Sequence, residues 1–180
     1  MEALKRRREE DAARIRNMAS LYPGRVQLLE CDRALSTLKI RLRIPTARDE
    51  SYPAAVQEAS DIEITLPRRY PFEEPYAKVL TPVWNPNIFQ SGKICLGTKW
   101  LPTEGLDLLV ERIMKLLAFD PLIINTKSPA NSTACTWYIG ALKQKPSAFP
   151  SVVVDELKQR AKKTGMIWKN IETKGSWNDV

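Results

Sequence analysis

Residues Tyr70–Leu96 read YPFEEPYAKVLTPVWNPNIFQSGKICL, and the rest of the chain is organised around this stretch. Pro71, Pro75, Pro82 and Pro86 each fix φ and remove a backbone donor. Each also drives its predecessor (Tyr70, Glu74, Thr81 and Asn85) toward extended or turn geometry. A stretch so restricted is neither a helix nor a central strand. It holds side chains in fixed places, and it leads to Cys95, bracketed by the apolar Ile94 and Leu96.

Upstream, strand signals accumulate. Leu38, Ile40, Leu42 and Ile44 alternate with Thr37, Lys39, Arg41 and Arg43, which predicts a half-buried strand over Leu35–Ile44. Ile62, Ile64 and Leu66 alternate with Asp61, Glu63 and Thr65 over Ser60–Leu66. Arg25–Leu29 is a shorter run of the same kind, and Tyr76–Leu80 supplies a fourth strand. Short connections suit an antiparallel meander with one solvated face. Before it, Leu4, Ala12, Ile15, Met18 and Ala19 fall at helical spacing over residues 1–20, and Tyr22-Pro23-Gly24 ends that helix.

Downstream, Leu106, Leu109, Val110, Ile113, Met114, Leu116 and Leu117 make a helix apolar around much of its circumference, so it is expected at the centre of the core. Ser128-Pro129 is expected to open the next helix, with Ser128 as N-cap and Pro129 in the first turn. Val152–Lys163 reads as a last helix and Thr164–Val180 as a polar tail. The fold class is α+β: an N-terminal helix, a four-stranded antiparallel meander, a central buried helix and C-terminal helices. Residues 1–145 are expected to form one domain and 146–180 a helical extension and tail.

Composition excludes several function classes. The 180 residues contain no histidine, which removes the Cys/His nucleophile pair and the usual imidazole metal sites. No metal centre is expected. Cys31, Cys95 and Cys135 are too few and too widely spaced for a disulfide framework or a zinc site. Cys31 and Cys135 read as small buried hydrophobes. No apolar run reaches the roughly 18 residues of a membrane span, and the charged N-terminus is not a secretion signal, so a cytoplasmic location without membrane contact is expected. The net charge is +7, from 28 Lys and Arg against 21 Asp and Glu. Lys5, Arg6, Arg7 and Arg8 form a partner-docking face or a solvated one. No aromatic-interleaved basic strand accompanies them, so nucleic acid is not the expected partner.

Over roughly residues 3–145 the chain resembles the ubiquitin-conjugating enzymes. Tyr70-Pro71-Phe72-x-x-Pro75 is similar to the family's Y-P-F-x-x-P, and Asn85-Pro86-Asn87-Ile88 stands where the family has H-P-N-I. Gly92-Lys93-Ile94-Cys95-Leu96 resembles the G-x-I-C-L that carries the thioester cysteine. Trp100-x-Pro102, the apolar helix and Pro129-x-Asn131-x-x-Ala134 are similar to W-[ST]-P followed by P-L-N-x-x-A. One such motif is weak; all in family order are specific.

The resemblance implies a transferase that takes ubiquitin, or a ubiquitin-like protein, from an activating enzyme onto Cys95 as a thioester and passes it to a lysine amine. It implies a ligase as a further partner and no cofactor of its own, because the separate activating enzyme uses the ATP. Asn87 would stabilise the flanking loop or the oxyanion. Asn85, in place of the family histidine, would keep the turn, because asparagine offers both donor and acceptor. Ser128 and Asn131 fall at the substrate-gate position, where many members carry an acid just before Pro-Leu-Asn. Asp107 and Asp120 are the acids that follow as substitutes for it. Lys5–Arg8 would dock the activating enzyme. The alternative on the same fold is a non-catalytic module that binds a ubiquitin-like protein. A thiol redox or acyl-carrier role is the third reading, weakened by the lack of a resolving cysteine nearby in sequence.

Overall fold

The computed structural model describes residues 2–97 and 99–150. The expected helix at Val152–Lys163 and the tail after it lie outside the described residues. Helix α1 spans Glu2–Leu21, and strands β1 (Val26–Cys31), β2 (Thr37–Leu42), β3 (Ser60–Thr65) and β4 (Tyr76–Val79) follow. Helix α2 (Leu106–Leu117), helix α3 (Ser132–Gln144) and a single 3₁₀ turn at Pro146–Ala148 complete the order. The strands form one antiparallel sheet in the order β1-β2-β3-β4. The architecture is the α+β arrangement read from the sequence.

Alternation sets the sheet. Leu38 pairs with Ile64 and Ile40 with Ile62, so the apolar residues of β2 and β3 share one face. Ala77 and Val79 of β4 continue that face opposite Ile64 and Ile62. On the other face Arg41 meets Asp61 through paired bonds of 2.7 and 2.8 Å. Strand β1 runs two residues beyond the expected end at Leu29. A bulge between Leu28 and Glu30 leaves Leu29 unpaired, and pairing resumes at Glu30 with Lys39.

Helix α2 lies across the apolar face. Leu106, Val110, Ile113, Met114 and Leu117 are fully buried with Ile15 of α1 and with Ile40, Leu42, Ile62 and Ile64 of the sheet. A continuous stripe of this kind is the main stabilising term, at about 25 cal/mol per Å² of apolar surface removed from water. A second, smaller cluster joins Ala47, Tyr52, Phe119, Tyr138 and Phe149. Phe119 adopts φ +58 at the end of α2, stacking on Tyr138 at 5.6 Å and meeting the edge of Phe149 at 5.1 Å.

The start of the last described α-helix also differs from expectation. Helix α3 begins at Ser132, not at Ser128, and its N-cap is Asn131. Asn131 has extended backbone, and its Oδ1 accepts the Ala134 N–H at 3.0 Å. Its own N–H is taken by the Pro86 carbonyl at 3.1 Å, which fixes where the helix can start. Ser128 is held instead in a turn closed by Asn125.

Candidate active site

Cys95 sits between two supports. On one side the segment after the 89–92 turn extends the sheet: Val79 N–H donates to the Gly92 carbonyl at 2.9 Å and Ile94 N–H to the Ala77 carbonyl at 3.0 Å. Gly92 is required there. Its φ is +85, and a Cβ would lie 2.5 Å from the Val79 carbonyl oxygen. On the other side Cys95 N–H donates to the Asn87 carbonyl at 2.8 Å. Ile94 and Leu96 are buried on either flank, and Cys95 between them is half-buried. The sequence thus anchors the neighbours and leaves the thiol partly exposed.

The Asn85-Pro86-Asn87 turn is locked by its own side chains. Asn85 is fully buried; its Oδ1 accepts the Asn87 N–H at 2.9 Å, and its Nδ2 donates to the Leu116 carbonyl at 3.0 Å. Asparagine therefore closes the turn and joins it to the C-terminal end of α2. Asn87 is 1% exposed and has its side chain fully engaged. Nδ2 donates to the carbonyls of Cys95 and Ile123, both at 3.2 Å, and Oδ1 accepts the Asn125 N–H at 2.8 Å. In this resting arrangement Asn87 braces the thiol-bearing loop.

The brace continues into the loop before α3. Asn125 Oδ1 accepts the N–H groups of Lys127 at 3.1 Å and Ser128 at 2.9 Å, and its Nδ2 donates to the Ser128 carbonyl at 2.9 Å. Hydrogen bonds thus run without a break from Cys95 through Asn87 and Asn125 to Ser128. Sequence reasoning missed Asn125. The signal was present, because an Asn followed by Thr-Lys-Ser is a common self-capped turn. Asn131 joins the same assembly through Pro86. The structure therefore brings Asn85, Asn87, Cys95, Ser128 and Asn131 together.

The remaining acids and thiols lie elsewhere in role. Asp107 faces Arg14 of α1 at 3.6 Å. Asp120 is 2% exposed, and its Oδ1 accepts the Leu122 N–H at 3.1 Å. Ser128 itself is exposed. Burial pushes the thiols of Cys31 and Cys135 above their ordinary range, so neither favours thiolate chemistry.

The basic run on α1 is divided. Lys5 and Arg6 are exposed and make i,i+4 pairs with Glu9 and Glu10. Arg8 donates to the Pro67 carbonyl at 2.7 Å. Arg7 turns inward, its side chain 18% exposed, and bonds to Asp11 at 2.6 Å. The expected docking face does not include the Arg7 guanidinium, because the interior has claimed it.

A family model described as "Ubiquitin-conjugating enzyme" matches residues 23–154. The chain belongs to the ubiquitin-conjugating enzyme family. Mouse (Mus musculus) Ubiquitin-conjugating enzyme E2 T is 50% identical over 44 residues, covering 24% of this chain and 22% of that protein. The Ubiquitin-conjugating enzyme E2 of African swine fever virus is 28% identical over 109 residues, covering 54% of this chain and 48% of that protein. The chain thus spans between a fifth and a half of the length of these curated relatives. A solved structure of human Ubiquitin-conjugating enzyme E2 G1 has a TM-score of 0.49 at 18% identity, over 63% of this chain and 96% of that one. In this member of the family, Asn85 stands at the motif position where the family pattern has histidine, and hydrogen-bonds as the turn requires.

Proposed function

We propose that Cys95 carries the C-terminus of ubiquitin, or of a ubiquitin-like protein, as a thioester. The Cys95 sulfur attacks the thioester carbonyl held on the activating enzyme. The new C–S bond forms, the old one breaks, and the activating enzyme's cysteine leaves as a thiol. A lysine amine then attacks the same carbonyl; the C–N bond forms, Cys95 leaves, and the amine's proton returns to a thiol. ATP is consumed on the activating enzyme, so this chain needs no cofactor. Nothing in either step needs histidine, because a thioester is already activated and positioning does much of the remaining work.

The observation that carries this reading is the reciprocal bracing of Cys95 and Asn87, which presents a half-exposed thiol on a fixed loop. If one Asn87 N–H turns from its carbonyl to the developing oxyanion, it supplies a preorganised donor of the kind that contributes a few kcal/mol in acyl transfer, roughly. Lys5, Arg6 and Arg8 would face the activating enzyme, and a ligase would be the further partner. A cytoplasmic site of action fits this partnership.

The binding-module reading is favoured by one observation: Ser128 occupies the position of the family's acid, and its surroundings are satisfied by Asn125. The two readings separate in a Cys95→Ser variant mixed with activating enzyme, modifier and ATP. An enzyme traps a reductant-resistant, hydroxide-labile oxyester. A pure binder shows no covalent adduct in either form and equal non-covalent affinity in both, and that result would overturn the transferase reading.

A further inference from the structure

We infer that Arg7 and Asp11 are positioning residues for transfer from Cys95, acting by locking the 100–106 segment against α1. The inference rests on the proposed thioester chemistry of Cys95. Asp11 is fully buried, and a buried carboxylate persists only when it is paired and hydrogen-bonded. Its Oδ2 accepts from Arg7 at 2.6 Å and from the Tyr70 hydroxyl at 2.5 Å, and its Oδ1 accepts the N–H of Leu106, the first residue of α2, at 3.1 Å. The other end of the Arg7 guanidinium donates to the Pro102 carbonyl at 2.6 Å and to the Glu104 carbonyl. A residue in the first turns of α1 therefore grips the backbone of a segment nearly a hundred residues away in sequence.

That segment precedes α2, and no helix or strand forms among the described residues between Cys95 and Leu106. Its placement depends on side-chain ties. Trp100 is buried, donates from Nε1 to the Pro71 carbonyl at 2.7 Å, and packs on Tyr70 with ring centroids 5.8 Å apart. Tyr70 in turn bonds to Asp11, and the Arg7 guanidinium carbon lies 5.5 Å from its ring centroid. Asp11 is thus the point where α1, the Tyr70-Pro71-Phe72 turn and the start of α2 meet.

A buried ion pair is a poor source of net stability compared with apolar packing of the same volume. Its value here lies in geometry: the planar fork of arginine meets a carboxylate and two carbonyls at once, which a lysine ammonium on a flexible stem does not reproduce. A loop displaced by about 1 Å beside a reacting centre can cost up to a hundredfold in rate.

The test uses the full chain and three variants: Arg7→Lys, Asp11→Asn and, as a destabilised control in the same helix, Ile15→Val. Charging is measured against activating-enzyme concentration, and discharge of the purified thioester against free lysine. We expect Arg7→Lys and Asp11→Asn to slow discharge about tenfold, with the charging KM unchanged within about twofold. Ile15→Val should lower Tm yet discharge at the wild-type rate. Wild-type discharge rates in both tie variants, or losses that merely follow Tm, would overturn the inference. Should the wild-type chain fail to charge at all, the thioester reading fails. The tie is then judged by amide exchange over residues 100–106 and by iodoacetamide alkylation of Cys95. Both should accelerate several-fold in Arg7→Lys while exchange in β2 and β3 stays unchanged; no local change would overturn the positioning claim.

Discussion

Asn87 and Cys95 hold each other by the backbone and the side chain at once: the Cys95 N–H donates to the Asn87 carbonyl at 2.8 Å, and Asn87 Nδ2 donates to the Cys95 carbonyl at 3.2 Å. Truncating Asn87 to alanine leaves the carbonyls of Cys95 and Ile123 and the N–H of Asn125 without these partners. Asn87→Ala should therefore lose about 2–3 kcal/mol in urea unfolding, with m unchanged. Asn87→Asp keeps the acceptor for Asn125 but removes both donors. It should slow transfer more than its own loss of stability accounts for, measured as discharge well below Tm.

Asn85 makes a narrower test of the turn. It accepts from Asn87 N–H and donates to the Leu116 carbonyl while fully buried. Asn85→Ala should cost about 1–3 kcal/mol and loosen the end of α2 as well as the turn. Hydrogen exchange at Asn87 and at the last turn of α2 reads both effects in one experiment.

Ser128 carries no charge where the proposed acceptor amine would approach. Ser128→Asp places an anion on a turn whose backbone bonds to Asn125 do not involve the Ser128 side chain, so the fold is expected to tolerate it. Discharge to free lysine should rise several-fold, chiefly at low salt, with charging unchanged. An unaltered lysine rate would remove the gate assignment for this position.

Glu111 predicts a pH dependence unrelated to the site. It is 2% exposed, accepts the Tyr22 hydroxyl at 2.5 Å on Oε1, and burial holds its carboxyl above the ordinary value of 4.5. The folded protein then binds this proton more tightly than the unfolded chain does. The Glu111 contribution is most favourable below the ordinary value and is lost as pH rises through the raised one. Glu111→Gln should abolish that slope and raise stability at neutral pH relative to the wild type. Paired urea titrations across the acid-to-neutral range measure it.

Much of the architecture was legible because periodicity is a local signal. Leu38, Ile40, Leu42, Ile62 and Ile64 announce a face two residues at a time, and α2 announces itself by being apolar almost all round. Cys95 was legible from its buried neighbours Ile94 and Leu96 and from the motifs around it. What was hidden depends on distant partners. Ser128-Pro129 reads locally as a helix start, yet the bond from Asn131 to Pro86 moves the cap by three residues. Asn125 reads as one more loop residue until its amide is seen closing the path from Asn87 to Ser128. Arg7 is indistinguishable from Arg6 in the sequence, and only the fold shows that one faces Asp11 and the other solvent.

The most direct test of the central claim is the intact mass of the full chain after incubation with an active activating enzyme, ATP and a ubiquitin-like modifier, read with and without reductant. The account predicts an adduct of one modifier mass that disappears on reduction and does not form in Cys95→Ala. An unmodified mass with a cognate pair shown to be active on another conjugating enzyme would contradict it, as would an adduct that persists in Cys95→Ala.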